Sequence, residues 1–113
     1  MDISNEALVL EAPYYEVVLT VTVTVTFEDT TVYLVEVKQA GIFHIEGLDE
    51  EILGRVTATS CPNILFPFAR ELISDLVTRG GFPQLLLAPV NFEALYQEQA
   101  QQPESEEEQT TKH

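Results

Sequence analysis

The feature that most constrains this chain is the run from Tyr15 to Phe27. Tyr15, Val17, Leu19, Val21, Val23, Val25 and Phe27 alternate with Glu16, Val18, Thr20, Thr22, Thr24 and Thr26. A period of two, with β-branched residues at most positions, predicts one long strand with a single buried face. Such a strand must sit in a sheet whose apolar side is covered. Glu28-Asp29 predicts a short turn, and Thr30 to Gln39 predicts the returning strand. In that second strand Tyr33, Val35 and Val37 share one face, whereas Val32, Leu34, Glu36 and Lys38 share the other. Ala40-Gly41 is expected to interrupt it, with Ile42 to Ile45 forming a further short β run that ends near Gly47. Leu8 to Leu10 is a candidate short strand ahead of Ala12-Pro13.

After Gly47 the period changes. Asp49-Glu50-Glu51 is an acidic opening favoured by a helix dipole, and Ile52, Leu53 and Val56 follow it. Pro62 is expected to stop that helix. Leu65, Phe68, Ala69, Leu72, Ile73, Leu76 and Val77 have helical spacing, with Pro67 placed near the first turn and Arg79 with Gly80-Gly81 at the end. Pro83 and Pro89 keep residues 82–90 irregular, and Asn91 caps a last amphipathic helix carrying Phe92, Leu95 and Tyr96. Strands first and helices afterwards predict an α+β domain: an antiparallel sheet with helices packed on one face.

A length of 113 residues fits one domain, expected over residues 1–102. A hydrophobic content of 45% exceeds what one small core needs and predicts oligomerisation. The 19 acidic and 5 basic side chains give a net charge of −14, which disfavours nucleic acid and anionic membranes and favours basic partners. Part of that charge lies in Pro103 to His113, which holds Glu104, Glu106, Glu107 and Glu108, has no apolar residue and is predicted to be a disordered, solubilising tail. The single cysteine, Cys61, cannot form an internal disulfide and fits a reducing compartment. No basic-then-apolar signal begins the chain, and the apolar run Val17 to Phe27 falls short of the ~20 residues of a membrane helix. A soluble, cytoplasmic protein is expected.

The residues do not assemble an enzyme. Cys61 and His44 are the one conceivable nucleophile–base pair, but Cys61 adjoins Pro62 beside an apolar helix, where small cysteines are ordinary core residues. One cysteine with two distant histidines, His44 and His113, gives no zinc spacing, and no Asp/Asn-rich calcium loop is present. Gly80-Gly81 neither follows a strand nor opens a helix, so it is no phosphate loop. No catalytic residue, metal or cofactor is predicted. What remains is apolar surface. Phe43, Phe82, Phe92 and Tyr96 lie on turns and short segments, where aromatics either seal the edge of a core or form an adaptable groove. From pattern alone the chain is an acidic, oligomeric α+β binding protein.

Several stretches resemble the SecB family of protein-export chaperones: YEVVLTVTVT (Tyr15 to Thr24), YLVEVKQAGIF (Tyr33 to Phe43), CPNILFPFARELISDLVTRGGFPQLLLAPVNFEALY (Cys61 to Tyr96) and the acidic Gln/Glu tail. Generic helix formation does not require Pro-Asn-Ile-Leu-Phe-Pro followed by Ala-Arg-Glu, so the long block is specific. The resemblance implies a sheet of about four antiparallel strands with helices on one side, assembled as a homotetramer, a dimer of dimers. It implies an ATP-independent chaperone that binds unfolded preproteins in apolar grooves and delivers them to SecA, without nucleic acid, cofactor or membrane insertion. Between the Asp2 stretch and Tyr15 the family carries a longer segment that includes its first strand. Here only Ala7 to Tyr14 stands there, so the first strand is expected to be short, or lost.

By the same resemblance, Asp2, Glu6, Leu34 and Glu36 match the SecA-docking face, and Val35, Val37 and Gln39 match positions of oligomer assembly. Leu8, Leu10, Phe43, Phe82, Phe92, Leu95 and Tyr96 are the expected client-binding residues. Two other readings share this fold: a dedicated chaperone or adaptor for one partner such as an antitoxin, and an oligomer whose client groove is disabled.

Overall fold

A computed structural model describes residues 1–99. The predicted tail from Pro103 and the domain limit at Gln102 lie outside the described residues. The α+β class holds: a three-stranded antiparallel sheet in the order β1-β2-β3 is covered on one side by helices. The strands are β1 (Asp2–Glu11), β2 (Tyr14–Phe27) and β3 (Thr30–His44), and the helices are α1 (Glu50–Ala58) and α2 (Ser60–Arg79). A final helical segment covers residues 92–99.

Three strands stand where about four were expected, and the first is neither short nor lost. It runs from Asp2 rather than from Leu8, although Asp-Ile-Ser-Asn-Glu-Ala has no strand periodicity. Pairing on β2 overrides local propensity here. The register Ile3↔Val21, Asn5↔Leu19 and Ala7↔Val17 places these β1 residues on the helix side of the sheet.

The expected break at Ala40-Gly41 is absent, and β3 is continuous to His44 through the pairs Val18↔Ala40 and Val17↔Gly41. The small residues serve a close approach instead. A Cβ built on Gly41 would lie 2.9 Å from Leu65 Cδ2 and 3.1 Å from Phe43 Cε1, so glycine lets α2 seat on the sheet.

β2 and β3 are joined by Glu28 and Asp29, both at positive φ (51° and 64°), as a two-residue hairpin loop of the primed type requires. The Ala12-Pro13 peptide in the β1–β2 connection is cis.

Asp49 caps α1 by accepting the Ile52 N–H at 2.8 Å, with Glu50 and Glu51 in the first turn. Pro62 does not interrupt. It lies in the first turn of α2, where a missing N–H costs little, and α1 ends instead at Thr59, whose N–H bonds back to the Arg55 and Val56 carbonyls. Because α2 starts at Ser60, Pro67 falls inside the helix rather than near its first turn. It deprives the Asn63 carbonyl of its partner N–H. Arg79 closes the helix beside an i,i+4 bond to Asp75 of 2.8 Å, and Gly81 takes positive φ. Asn91 caps the last helical segment through its side-chain oxygen, which accepts the Ala94 N–H at 3.0 Å.

The core joins Val17, Leu19, Val21 and Val23 of β2 and Val37 of β3 to Cys61, Leu65, Phe66, Ala69, Ile73 and Val77 of α2. Phe92 completes it by meeting Phe66 edge-on at 5.9 Å. The odd-numbered face of β2 and β3 is therefore the covered one. Most of the hydrophobic stabilisation lies there, at about 25 cal/mol per Å² of apolar surface removed from water.

Candidate functional site

The site follows from the two-sidedness of the sheet. With odd positions under the helices, even positions of β2 and β3 and their partners on β1 form an open face. Its rows, read across β1, β2 and β3, are Asp2–Thr22–Glu36, Ser4–Thr20–Lys38, Glu6–Val18–Ala40 and Leu8–Glu16–Ile42, with Leu34 opposite Thr24 beyond the first row. Asp2, Glu6, Leu34 and Glu36, remote in sequence, thus share one exposed face. The Thr22 hydroxyl donates to Glu36 Oε2 at 3.2 Å and holds that carboxylate over the sheet.

The helix side carries clefts along β1. One, of about 240 Å³, is lined by Ile3, Asn5, Ala58, Leu95 and Tyr96. Another, of about 300 Å³ and mostly apolar, lies among Ala7, Val9, Tyr15, Leu53 and Gly54. A third adjoins it through Tyr15 and Leu53 and reaches Pro13, Ile45 and Leu48. Between the first two clefts the Asn5 side chain donates to the Thr57 carbonyl at 2.9 Å, and an Arg55–Glu93 ion pair ties α1 to the last helical segment.

The expected client-binding residues are spread out. Leu95 and Tyr96 line the first cleft. Leu8 is on the open face, and Leu10 is exposed at the β-bulge that follows Val9. Phe43 packs by Gly41 and Leu65, whereas Phe82 stacks on Tyr33 at 4.6 Å, about 33 Å along β3 at the usual strand rise. Phe92, 5% exposed, is a core residue. Val9, Tyr15 and Leu53 line clefts that sequence reasoning missed, because the pairing of β1 was not visible in its composition.

Of the positions matched to assembly, Val37 is buried beneath the helices and Val35 is half-buried. Gln39 lines an open cleft with Phe68, Leu72 and Leu86. That cleft leads onto an exposed stripe on α2: Ile64, Phe68, Leu72 and Leu76, each four residues from the next. Leu65, Ala69, Ile73 and Val77 form a parallel stripe in the core. Both apolar stripes, at i,i+4 spacing, are visible in the sequence, and this fold covers one of them.

Cys61 lies in the core, and burial pushes its thiol pKa up, opposite to what a nucleophile needs. His44 is exposed at the end of β3, stacked on Tyr14 at 5.2 Å and 3.7 Å from Glu46. Among the described residues no group of three or more His, Cys, Asp or Glu side chains is placed to hold a metal, and no helix is long and apolar enough to cross a membrane.

The described residues thus combine an open acidic sheet face, apolar clefts on the helix side and an uncovered helix stripe. The family model of "Preprotein translocase subunit SecB" matches residues 1–103. A "Protein-export protein SecB" of Nitrosococcus oceani is 56% identical over 105 residues, covering 93% of this chain and 64% of that protein. Those of Methylobacillus flagellatus and Halorhodospira halophila are 56% and 61% identical over 102 and 90 residues, covering 90% and 80% of this chain and 65% and 52% of theirs. The chain belongs to the SecB family, and it spans less than two-thirds of the length of these relatives.

Proposed function

We propose that the chain is an ATP-independent export chaperone, which holds preproteins in a non-native state and hands them to the SecA translocase in the cytoplasm. The observation that carries this reading is the separation of two binding surfaces by one sheet. Apolar clefts along β1 suit extended apolar stretches of client, and the opposite face presents Asp2, Glu6, Leu34 and Glu36 to a basic partner. Clefts of this kind bind many sequences because apolar contact and backbone hydrogen bonds do not depend on exact side chains. A client and a docking partner on opposite faces do not compete for the same atoms. The function requires no cofactor.

Assembly belongs to the same proposal. The stripe Ile64–Phe68–Leu72–Leu76 is the surface we assign to contact between copies in a homotetramer, with Gln39 at its margin and with Val35 and Val37 seating α2 from below.

The test is fluorescence anisotropy of a labelled preprotein, unfolded in one arm and natively folded in the other. Binding of the unfolded form alone is expected, and Tyr96→Asp should weaken it by placing an ionised group in the Ile3–Leu95 cleft. A parent chain that binds neither form would sink the chaperone reading and favour an oligomer without a working groove. Capture of one folded partner alone would favour the dedicated adaptor.

A further inference from the structure

The open face does not end at the carboxylates assigned above. Six residues along β2 from the row Asp2–Thr22–Glu36, about 20 Å away at strand rise, lies the row Leu8–Glu16–Ile42. Leu8 and Ile42 are 43% and 66% exposed, and Glu16 stands half-buried between them on the central strand. Glu6 is its diagonal neighbour across β1 and β2, roughly 7–8 Å away backbone to backbone.

These two carboxylates repel each other. Among the described residues no ion pair reaches either. Lys38, the cation of this face, sits two rows from Glu16, about 13 Å along the strands. Val18, opposite Glu6, and Leu8, opposite Glu16, complete the four-residue patch around the two carboxylates, and the Tyr14 and His44 rings, 5.2 Å apart, lie one row beyond it.

We propose that this end of the open face is a docking notch for one Lys or Arg side chain flanked by apolar residues on a partner polypeptide. The cationic head sits between Glu6 and Glu16 and relieves their repulsion. Its aliphatic stem and apolar neighbours cover Leu8 and Ile42, which a purely basic segment would leave in water. The notch deepens the reading of this face as a docking surface and rests on it. It adds a second anchor, so that an extended partner with cations about six residues apart engages both rows at once.

The probe is a fluorescein-labelled peptide carrying Leu-Arg-Leu at each end of a Gly/Ser spacer, its arginines about six residues apart, titrated onto the full chain. Glu16→Gln and Ile42→Ser are each expected to weaken binding roughly three- to ten-fold, the first with a shallower salt dependence. Replacing the flanking leucines of the peptide by serine should remove the effect of Ile42→Ser. Binding that is unchanged in both variants but weakened by Glu36→Lys overturns the notch and leaves the docking reading standing. Binding unchanged in all three overturns both. A loss confined to Tyr96→Asp means that the peptide is held as a client on the helix side, and the notch falls.

Discussion

The side-chain amide of Asn5 on β1 donates to the backbone carbonyl of Thr57 in the last turn of α1, at 2.9 Å. The last carbonyls of a helix have no intrahelical partner, so one polar side chain from the edge strand completes the end of α1 and separates two apolar clefts. Asn5→Ala should lower the unfolding free energy by about 1 kcal/mol, and Asn5→Asp by about 2 kcal/mol, because a carboxylate would then face the carbonyl oxygen. Urea midpoints at unchanged slope would measure this. Equal midpoints for all three proteins would show that β1 is held by strand pairing alone.

Glu36 is exposed and held by the Thr22 hydroxyl, at the β3 end of the row Asp2–Thr22–Glu36. Glu36→Lys should weaken SecA binding by roughly ten-fold at low salt and by less at high salt, since screening reduces the contribution of exposed charges. Client capture should stay close to that of the parent. Surface plasmon resonance at two salt concentrations reads both quantities, and undiminished SecA affinity would move the docking site off this face.

Phe68 is 59% exposed at the middle of the α2 stripe. A charge at that position would have to be desolvated in any contact that covers it. Phe68→Glu is expected to give a smaller species in sedimentation velocity with an unaltered circular dichroism spectrum. An unchanged mass would exclude the stripe from the assembly contact.

The turn at Glu28 and Asp29 places two β-carbon-bearing residues in the left-handed region, where Asn-Gly fits with far less strain. Replacing the pair by Asn-Gly should stabilise the chain by about 1 kcal/mol without moving the register. Thermal unfolding would show a higher midpoint; a lower one would mean that the two acidic side chains make contacts worth more than the strain.

Two glycines should respond in opposite senses. Gly41→Val must push Leu65 out of its core position and should cost about 1–3 kcal/mol. Gly54 lies inside α1 with open space around its α-carbon, so Gly54→Ala should add about 0.5–1 kcal/mol. Chemical denaturation of both variants tests the contrast, and a tolerated valine at 41 would show that α2 can lift from β3 at little cost.

Sequence by itself determined the elements whose signal is local. The Tyr15–Phe27 alternation, the Glu28-Asp29 turn, the acidic helix opening at Asp49-Glu50-Glu51, the Asn91 cap and the Arg79-Gly80-Gly81 stop each depend on neighbours within a few residues, and each is present. Their order, strands first and helices afterwards, carried the α+β class, and the stretches Tyr15 to Thr24, Tyr33 to Phe43 and Cys61 to Tyr96 carried the family resemblance. Tertiary structure decided what depends on long-range partners. β1 is a strand from Asp2 because β2 offers it an edge, not because its composition demands one. Ala40-Gly41 continues a strand because α2 needs a close approach. Pro62 and Pro67 lie where they do because the helix begins at Ser60. Phe92, which in sequence resembles a groove aromatic, is drawn into the core by Phe66. The acidic face was legible only as scattered carboxylates. Strand register brought Asp2, Glu6, Glu16 and Glu36 onto one side of the sheet, since a shift of one residue would have turned each set to the other face.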